Sequence, residues 1–188
     1  MRVISGSLRG KKIFEPKDIK TRPLKDLTKE SIFNIINHSN KFKVQLMGAN
    51  VLDLFSGVGS FGIECISRGA SKVVFAENYV GVLPILRKNL MNIKFENNFK
   101  IIEKDIYKEE TFLILDCMFD IIFLDPPYKD KNLEVIFNLI AKTKILKEDG
   151  IIIMHRQKSE NDDLPENFRV IEEKKYGISK INFIESLN

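Results

Sequence analysis

From Val51 onward, short apolar runs alternate with segments whose apolar residues recur at helical spacing. The runs at 51–55, 72–76, 99–103, 119–124 and 150–155 read as strands. Between them, helices are expected near 61–68, 80–91 and 132–143, with a weaker one near 108–115. The segment around Leu133, Ile136, Phe137, Ile140 and Ala141 carries the stripe of a helix packed on a sheet. Pro84 fits its helix because it falls near the first turn, where N–H groups lack partners. Upstream, Leu24, Leu27, Ile32, Ile35 and Ile36 predict one helix ending near His38, with Asp26 as its N-cap. Alternating β and α units imply a mostly parallel sheet covered on both faces, with ligands at the carboxyl ends of the strands. The tail changes rhythm: 168–176 and 178–185, separated by Gly177, predict an antiparallel hairpin added to the sheet edge. An acidic segment, 160–166, precedes it and reads as an exposed loop.

Length and composition fit one α/β domain: 188 residues, 44% apolar and 30% charged. Residues 1–48 form an N-terminal extension plus helix, and 49–188 the core. No stretch approaches the roughly 18 apolar residues of a membrane span, and the opening Met1-Arg2-Val3-Ile4-Ser5-Gly6 is unlike a signal peptide. A cytoplasmic protein is expected. Cys65, Cys117, His38 and His155 are too scattered for a metal site, and His155 reads as a polar strand-end residue. Net charge is +4, but residues 1–29 hold nine basic and three acidic side chains, leaving the remainder slightly acidic. Such a segment is either an arm that docks on nucleic-acid phosphate or a solvated tail.

Candidate chemistry concentrates at two strand ends. Asp125-Pro126-Pro127-Tyr128 follows the run 120–124. Consecutive prolines fix φ, supply no N–H and force the preceding residues into extended geometry. The Asp125 carboxylate and the Asp125 and Pro126 carbonyls therefore make a stiff, acceptor-only edge, suited to an exocyclic amino group of a nucleobase. Tyr128 offers a face for stacking, although such a tetrapeptide is by itself also a plain turn. At the end of the first core strand, Asp53 precedes Gly57, Gly59 and Gly62, a GxGxxG pattern, and Glu77 follows twenty residues after Gly57. A dinucleotide competes for this loop. Asp53 and Asp125 would repel its pyrophosphate and attract the ammonium and sulfonium of S-adenosylmethionine, and Asp105 adds an acceptor for an adenine amine.

The chain resembles the class I S-adenosylmethionine-dependent methyltransferases, and more narrowly the RsmD family of bacterial 16S rRNA guanine-N2 methyltransferases. The resemblance spans nearly the whole chain. It rests on Arg2-Val3-Ile4-Ser5-Gly6, Arg9-Gly10-Lys11-Lys12, Thr21-Arg22-Pro23, Glu30-Ser31-Ile32-Phe33-Asn34, Gly62-Ile63-Glu64, Ser67-Arg68-Gly69-Ala70, the Asp125-Pro126-Pro127-Tyr128 edge and Tyr176-Gly177. It implies a Rossmann-like fold and transfer of a methyl group to the N2 amine of a guanine in 16S rRNA, on an assembled or assembling subunit. Asp125, Pro126, Pro127 and Tyr128 are then the catalytic residues. Asp53, Phe55, Gly57, Gly59, Glu77, Asn78, Asp105, Ile106 and Asp125 hold S-adenosylmethionine, while Arg9, Lys11, Lys12, Arg22 and Lys25 meet the RNA. A monomer without metal is expected. An adenine-N6 methyltransferase, a nicotinamide-dependent oxidoreductase and a non-catalytic RNA-binding factor are the alternatives. Two departures from the family pattern stand out: Leu27-Thr28 replaces basic residues, and His155-Arg156 ends its strand where an acidic residue is expected.

Overall fold

The computed structural model describes residues 1–16, 24–127 and 130–187. Strands β1 (Asn50–Leu54), β2 (Lys72–Ala76), β3 (Phe99–Ile102), β4 (Phe119–Leu124) and β5 (Leu146–Gln157) run parallel. A hairpin of β6 (Phe168–Tyr176) and β7 (Ser179–Ser186) completes the sheet antiparallel, in the order β3-β2-β1-β4-β5-β7-β6. The strand order reverses between β1 and β4, so a crevice opens there, outside their carboxyl ends. Asp53 near the end of β1 and Asp125 just past β4 flank it.

Two-residue periodicity divides the apolar side chains between two cores. Val51, Phe75, Phe123, Ile153 and Phe183 face α1 (Asp26–His38), α2 (Ser60–Ser67) and α3 (Leu83–Ile93). Leu52, Val74, Leu124, Met154 and Ile184 face α4 (Glu109–Leu113) and α5 (Leu133–Thr143). Each of these fully buried side chains contributes about 1.5–3 kcal/mol of transfer free energy. The same alternation carries Asp53, Glu77, Asp125 and His155 to the α1–α3 side, so four polar groups share one face at the open end of the sheet.

Several expectations shift. Asp26 is the first residue of α1 rather than its N-cap. Lys25 occupies the cap with extended geometry and no side-chain bond, and the Asp26 carboxylate lies 3.7 Å from the Lys29 ammonium. Strand β5 begins at Leu146, because Leu146 pairs with Phe119 across a register shift while the polar Lys147-Glu148-Asp149 interrupts the apolar run. Helix α3 starts at Leu83, with Pro84 in its opening residues, after a turn in which the Val82 and Leu83 amides donate to the Tyr79 carbonyl. The short 3-10 turn at Glu96–Asn98 had no clear sequence signal.

The described part of the N-terminal segment is folded rather than a solvated tail. Val3 and Ile13 are buried, the Val3 amide donates to the Lys11 carbonyl, and Arg2 pairs antiparallel with Lys12. Its anchor is Glu64 of α2, wholly buried. The Glu64 carboxylate accepts the Ile4 and Ser5 amides at 2.8 and 2.9 Å and the Arg68 Nε at 2.8 Å, with Lys29 Nζ at 3.9 Å. Burial lowers the pKa of Lys29, against the opposing pull of Glu64 and Asp26. Farther along, Asn89 of α3 accepts the Phe14 amide at 2.8 Å and donates to the Phe14 and Val58 carbonyls, tying the segment to the glycine loop. No described helix is long and apolar enough to cross a membrane.

Candidate active site

The crevice between the ends of β1 and β4 is a cleft of about 1040 Å³. Its floor includes the rings of Phe61 and Phe123, stacked with centroids 3.9 Å apart.

The glycine loop forms one wall. Gly57 and Gly59 hold φ of 54° and 81°, and Phe55 adopts a left-handed φ of 60°. A β-carbon at Gly62 would fall 2.3 Å from the Phe75 ring, so glycine there lets α2 lie close on β2. Three backbone amides around this wall face carboxylates. Gly57 N–H donates to Glu77 Oε2 at 2.8 Å, Tyr79 N–H donates to Glu77 Oε1 at 2.8 Å, and Gly62 N–H donates to Asp53 Oδ2 at 3.0 Å. Asp53 is 1% exposed, and burial drives its pKa well above the ordinary carboxylate range. The Gly62 amide opposes that rise, and Asp125 and Glu77 add to it.

The opposite wall is the 125–127 edge with His155, Ile178 and Ser179. The Asp125 amide donates to the Leu54 carbonyl at 3.4 Å, linking the two strand ends across the crevice. His155 Nδ1 lies 2.7 Å from Asp125 Oδ1. Arg156, 1% exposed, donates to Asp162 from Nε and Nη2 at 2.9 and 2.7 Å. It also reaches the Pro127 carbonyl at 3.3 Å and the Asp130 carbonyl at 3.0 Å. Thus Asp162, expected in an exposed loop, is half-buried against Arg156, and His155 stands beside the candidate catalytic carboxylate.

Of the residues expected to hold the cofactor, Asp53, Phe55, Gly57, Glu77, Asn78 and Asp125 line the cleft. Gly59 caps α2 behind it. Ile106 packs into the α4–α5 core, and Asp105 is exposed, its carboxylate accepting the Tyr107 amide at 2.9 Å. That turn presents Tyr107 to the cleft instead, edge-on to Phe55 and with its hydroxyl bonded to Asp130. Burial, then Asp130, raises the Tyr107 pKa. The sequence signal for Tyr107 was its place two residues beyond Asp105, in the loop after β3. Lys25 lines the cleft mouth, whereas Arg9 and Lys12 are exposed on the N-terminal segment and Lys11 is half-exposed there. Lys12 and Lys88 both lie over the Phe14 ring. Arg22 and Tyr128 lie outside the described residues.

This lining discriminates between ligands. A pyrophosphate needs free amides, yet the Gly57 and Gly62 amides face carboxylates, and Glu77, Asp125 and Asp130 would surround it with like charge. A phosphate-free ligand carrying an ammonium and a sulfonium fits. Each Glu77 oxygen takes one backbone N–H and retains a lone pair for a ribose hydroxyl. Among the described residues no group of three or more His, Cys, Asp or Glu could hold a metal ion.

The chain matches, over residues 1–185, the family model described as Conserved hypothetical protein 95. It is 34% identical to YlbH of Bacillus subtilis, a candidate rRNA methyltransferase, over 88% of this chain and 86% of that one. It is 30% identical to the ribosomal RNA small subunit methyltransferase D of Haemophilus influenzae, over 95% of this chain and 90% of that one. Among solved structures, a candidate methyltransferase of Escherichia coli superposes with a TM-score of 0.82 at 26% identity, covering 99% of this chain and 97% of that one. A match this complete, on a cleft that suits S-adenosylmethionine, shows that the chain belongs to the Conserved hypothetical protein 95 family, the RsmD family of S-adenosylmethionine-dependent rRNA methyltransferases.

Proposed function

We propose that this protein methylates the exocyclic N2 amine of a guanine in small-subunit (16S) rRNA, on an assembled or assembling subunit, as a monomer in the cytoplasm. The observation that carries the reading is the acceptor edge 125–127 standing across one cleft from the glycine loop. Relatives named as small subunit methyltransferases support the choice of rRNA.

S-adenosylmethionine supplies an electrophilic methyl group on a sulfonium. Glu77 would accept its ribose hydroxyls, Asp53 would serve its cationic end, and Phe55, Gly57, Gly59, Asn78 and Tyr107 would shape its bed, with Asp105 and Ile106 holding the Tyr107 turn. On the substrate side, the guanine amine is a weak nucleophile because its lone pair is delocalised into the ring. Accepting its two N–H bonds at the Asp125 carboxylate and the Pro126 carbonyl turns that lone pair toward the methyl group. As the N–C bond formed, the methyl–sulfur bond would break with its electron pair returning to a neutral thioether, and the fixed Asp125 carboxylate would stabilise the positive charge growing on nitrogen. Asp125 or water then takes the surplus proton. The base must leave its stack to reach the edge, and stacking on Tyr128 offsets that cost by about 1–3 kcal/mol. Arg9, Lys11, Lys12, Arg22 and Lys25 contact phosphate and set the position of the RNA.

The test offers labelled S-adenosylmethionine with unmodified small subunits and with protein-free rRNA, then digests the product. N2-methylguanosine, formed preferentially on subunits, is the expected result. N6-methyladenosine would replace the guanine reading with adenine, and absence of label in any nucleoside would reject methylation of rRNA.

A further inference from the structure

His155 and Arg156, near the end of β5, grip the 125–127 edge from both sides of the sheet. Successive strand residues point to opposite faces. His155 therefore turns to the α1–α3 face and meets the Asp125 side chain, while Arg156 turns to the α5 face and meets the backbone just beyond it. We infer that His155 and Arg156 are positioning residues that fix the carboxylate and the peptide backbone of the amine-accepting edge.

The 2.7 Å separation between His155 Nδ1 and Asp125 Oδ1 brings together two atoms that both accept hydrogen bonds unless one proton lies between them. With Asp125 ionised, that proton sits on Nδ1. The imidazole donates to Oδ1, locks the carboxylate rotamer and leaves Oδ2 for the incoming amine. The His155 side chain is 9% exposed and that of Asp125 22%, so the bond is largely sheltered from competing water. Arg156 does the complementary work on the backbone. Two prolines leave positions 126 and 127 without N–H donors, and the edge gains rigidity from a guanidinium that holds the Pro127 and Asp130 carbonyls together. The Asp162 carboxylate accepts from Arg156 Nε and from Nη2, the nitrogen that also donates to the Asp130 carbonyl. A misplacement of about 1 Å in such an edge costs about 10²-fold in rate.

This inference rests on the methyl-transfer reading, and the experiment separates the two. Methyl transfer to small subunits is measured for the wild type, His155→Phe and His155→Asn, alongside S-adenosylmethionine affinity and thermal stability. The expected outcome is a His155→Phe kcat lowered about 10-fold or more, with cofactor affinity and KM for subunits within about twofold of wild type. His155→Asn, whose amide N–H reaches the place of Nδ1–H, recovers most of the loss. For the second grip, the paired replacement Arg156→Met with Asp162→Leu removes the short buried pair as a unit and leaves only Glu160, 3.7 Å from the guanidinium and partly exposed, without its partner. It lowers kcat while the protein still melts cooperatively and binds the cofactor. A wild-type kcat in His155→Phe, equal defects in the Phe and Asn variants, or a wild-type kcat in the paired replacement would overturn the inference. An inactive wild type would overturn the underlying reading instead.

Discussion

The two walls of the cleft are built by different means. At the β1 end, carboxylates are seated by nearby backbone amides: Asp53 by Gly62 in the first turn of α2, nine residues on, and Glu77 by Gly57 and Tyr79 in the adjoining loops. At the β4 end, the carboxylate is seated by a side chain thirty residues away, and the peptide after it by a guanidinium nearly as distant in sequence. Two prolines contribute to the difference, since positions 126 and 127 supply no N–H; the local backbone bond there is made by the Asp130 amide, which donates to the Pro127 carbonyl at 2.9 Å, and the guanidinium adds to it. The wall proposed to hold the cofactor is thus a property of one βαβ unit, and the wall proposed to take the substrate a property of two neighbouring strands. Loss of a residue on one wall should therefore leave the function of the other intact.

The largest effect belongs to Asp125→Ala, which should abolish methyl transfer, a loss of at least about 10²–10³-fold, while calorimetric binding of S-adenosylmethionine persists. If cofactor binding disappears as well, the two walls are not separable. Glu64→Ala touches neither wall. It leaves the Ile4 and Ser5 amides and the Arg68 and Lys29 cations without their shared partner, and should cost about 3–5 kcal/mol in chemical denaturation. Limited proteolysis should then cut within the first residues, and RNA affinity should fall more than cofactor affinity.

Gly62→Ala places a methyl group against the Phe75 ring and Val73, costing about 1–3 kcal/mol and weakening cofactor binding by shifting the start of α2. Crosslinking of RNA to the 125–127 edge should be unchanged in that variant. The smallest effect is that of Asp53→Asn, read as stability against pH. The folded-state pKa of Asp53 stands above its ordinary value of 3.8, so the native protein holds this proton more tightly than the unfolded chain does. Between that ordinary value and the raised one, Asp53 makes stability rise as pH falls. Asp53→Asn should be at least as stable as wild type at pH 7, with a flatter profile toward acid, yet bind S-adenosylmethionine less well. A wild-type pH profile in that variant would place the proton elsewhere.

The strands 72–76 and 119–124 and the parallel sheet closed by a hairpin followed from periodicity, because apolar spacing is a local consequence of which side chains face the core. The glycine loop and its acids were legible for the same reason: their partners lie within one βαβ unit. Composition likewise marked the basic segment, but left open whether it folds. That was decided by the burial of Glu64, a contact spanning about sixty residues. Tyr107 displaced Asp105 from the cleft wall because a turn bonded through the Asp105 carboxylate sets which side chain points inward. His155 read in sequence as a polar strand end and is in the structure the partner of Asp125. Strand register, which places β4 and β5 side by side, is what joins them. By itself, then, the sequence determined the elements, the glycine loop and the proline-stiffened 125–127 edge, all set by local backbone chemistry. Only the tertiary structure decided what holds that edge in place, since the groups that hold it come from a neighbouring strand and reach it through the alternation of side chains across the sheet.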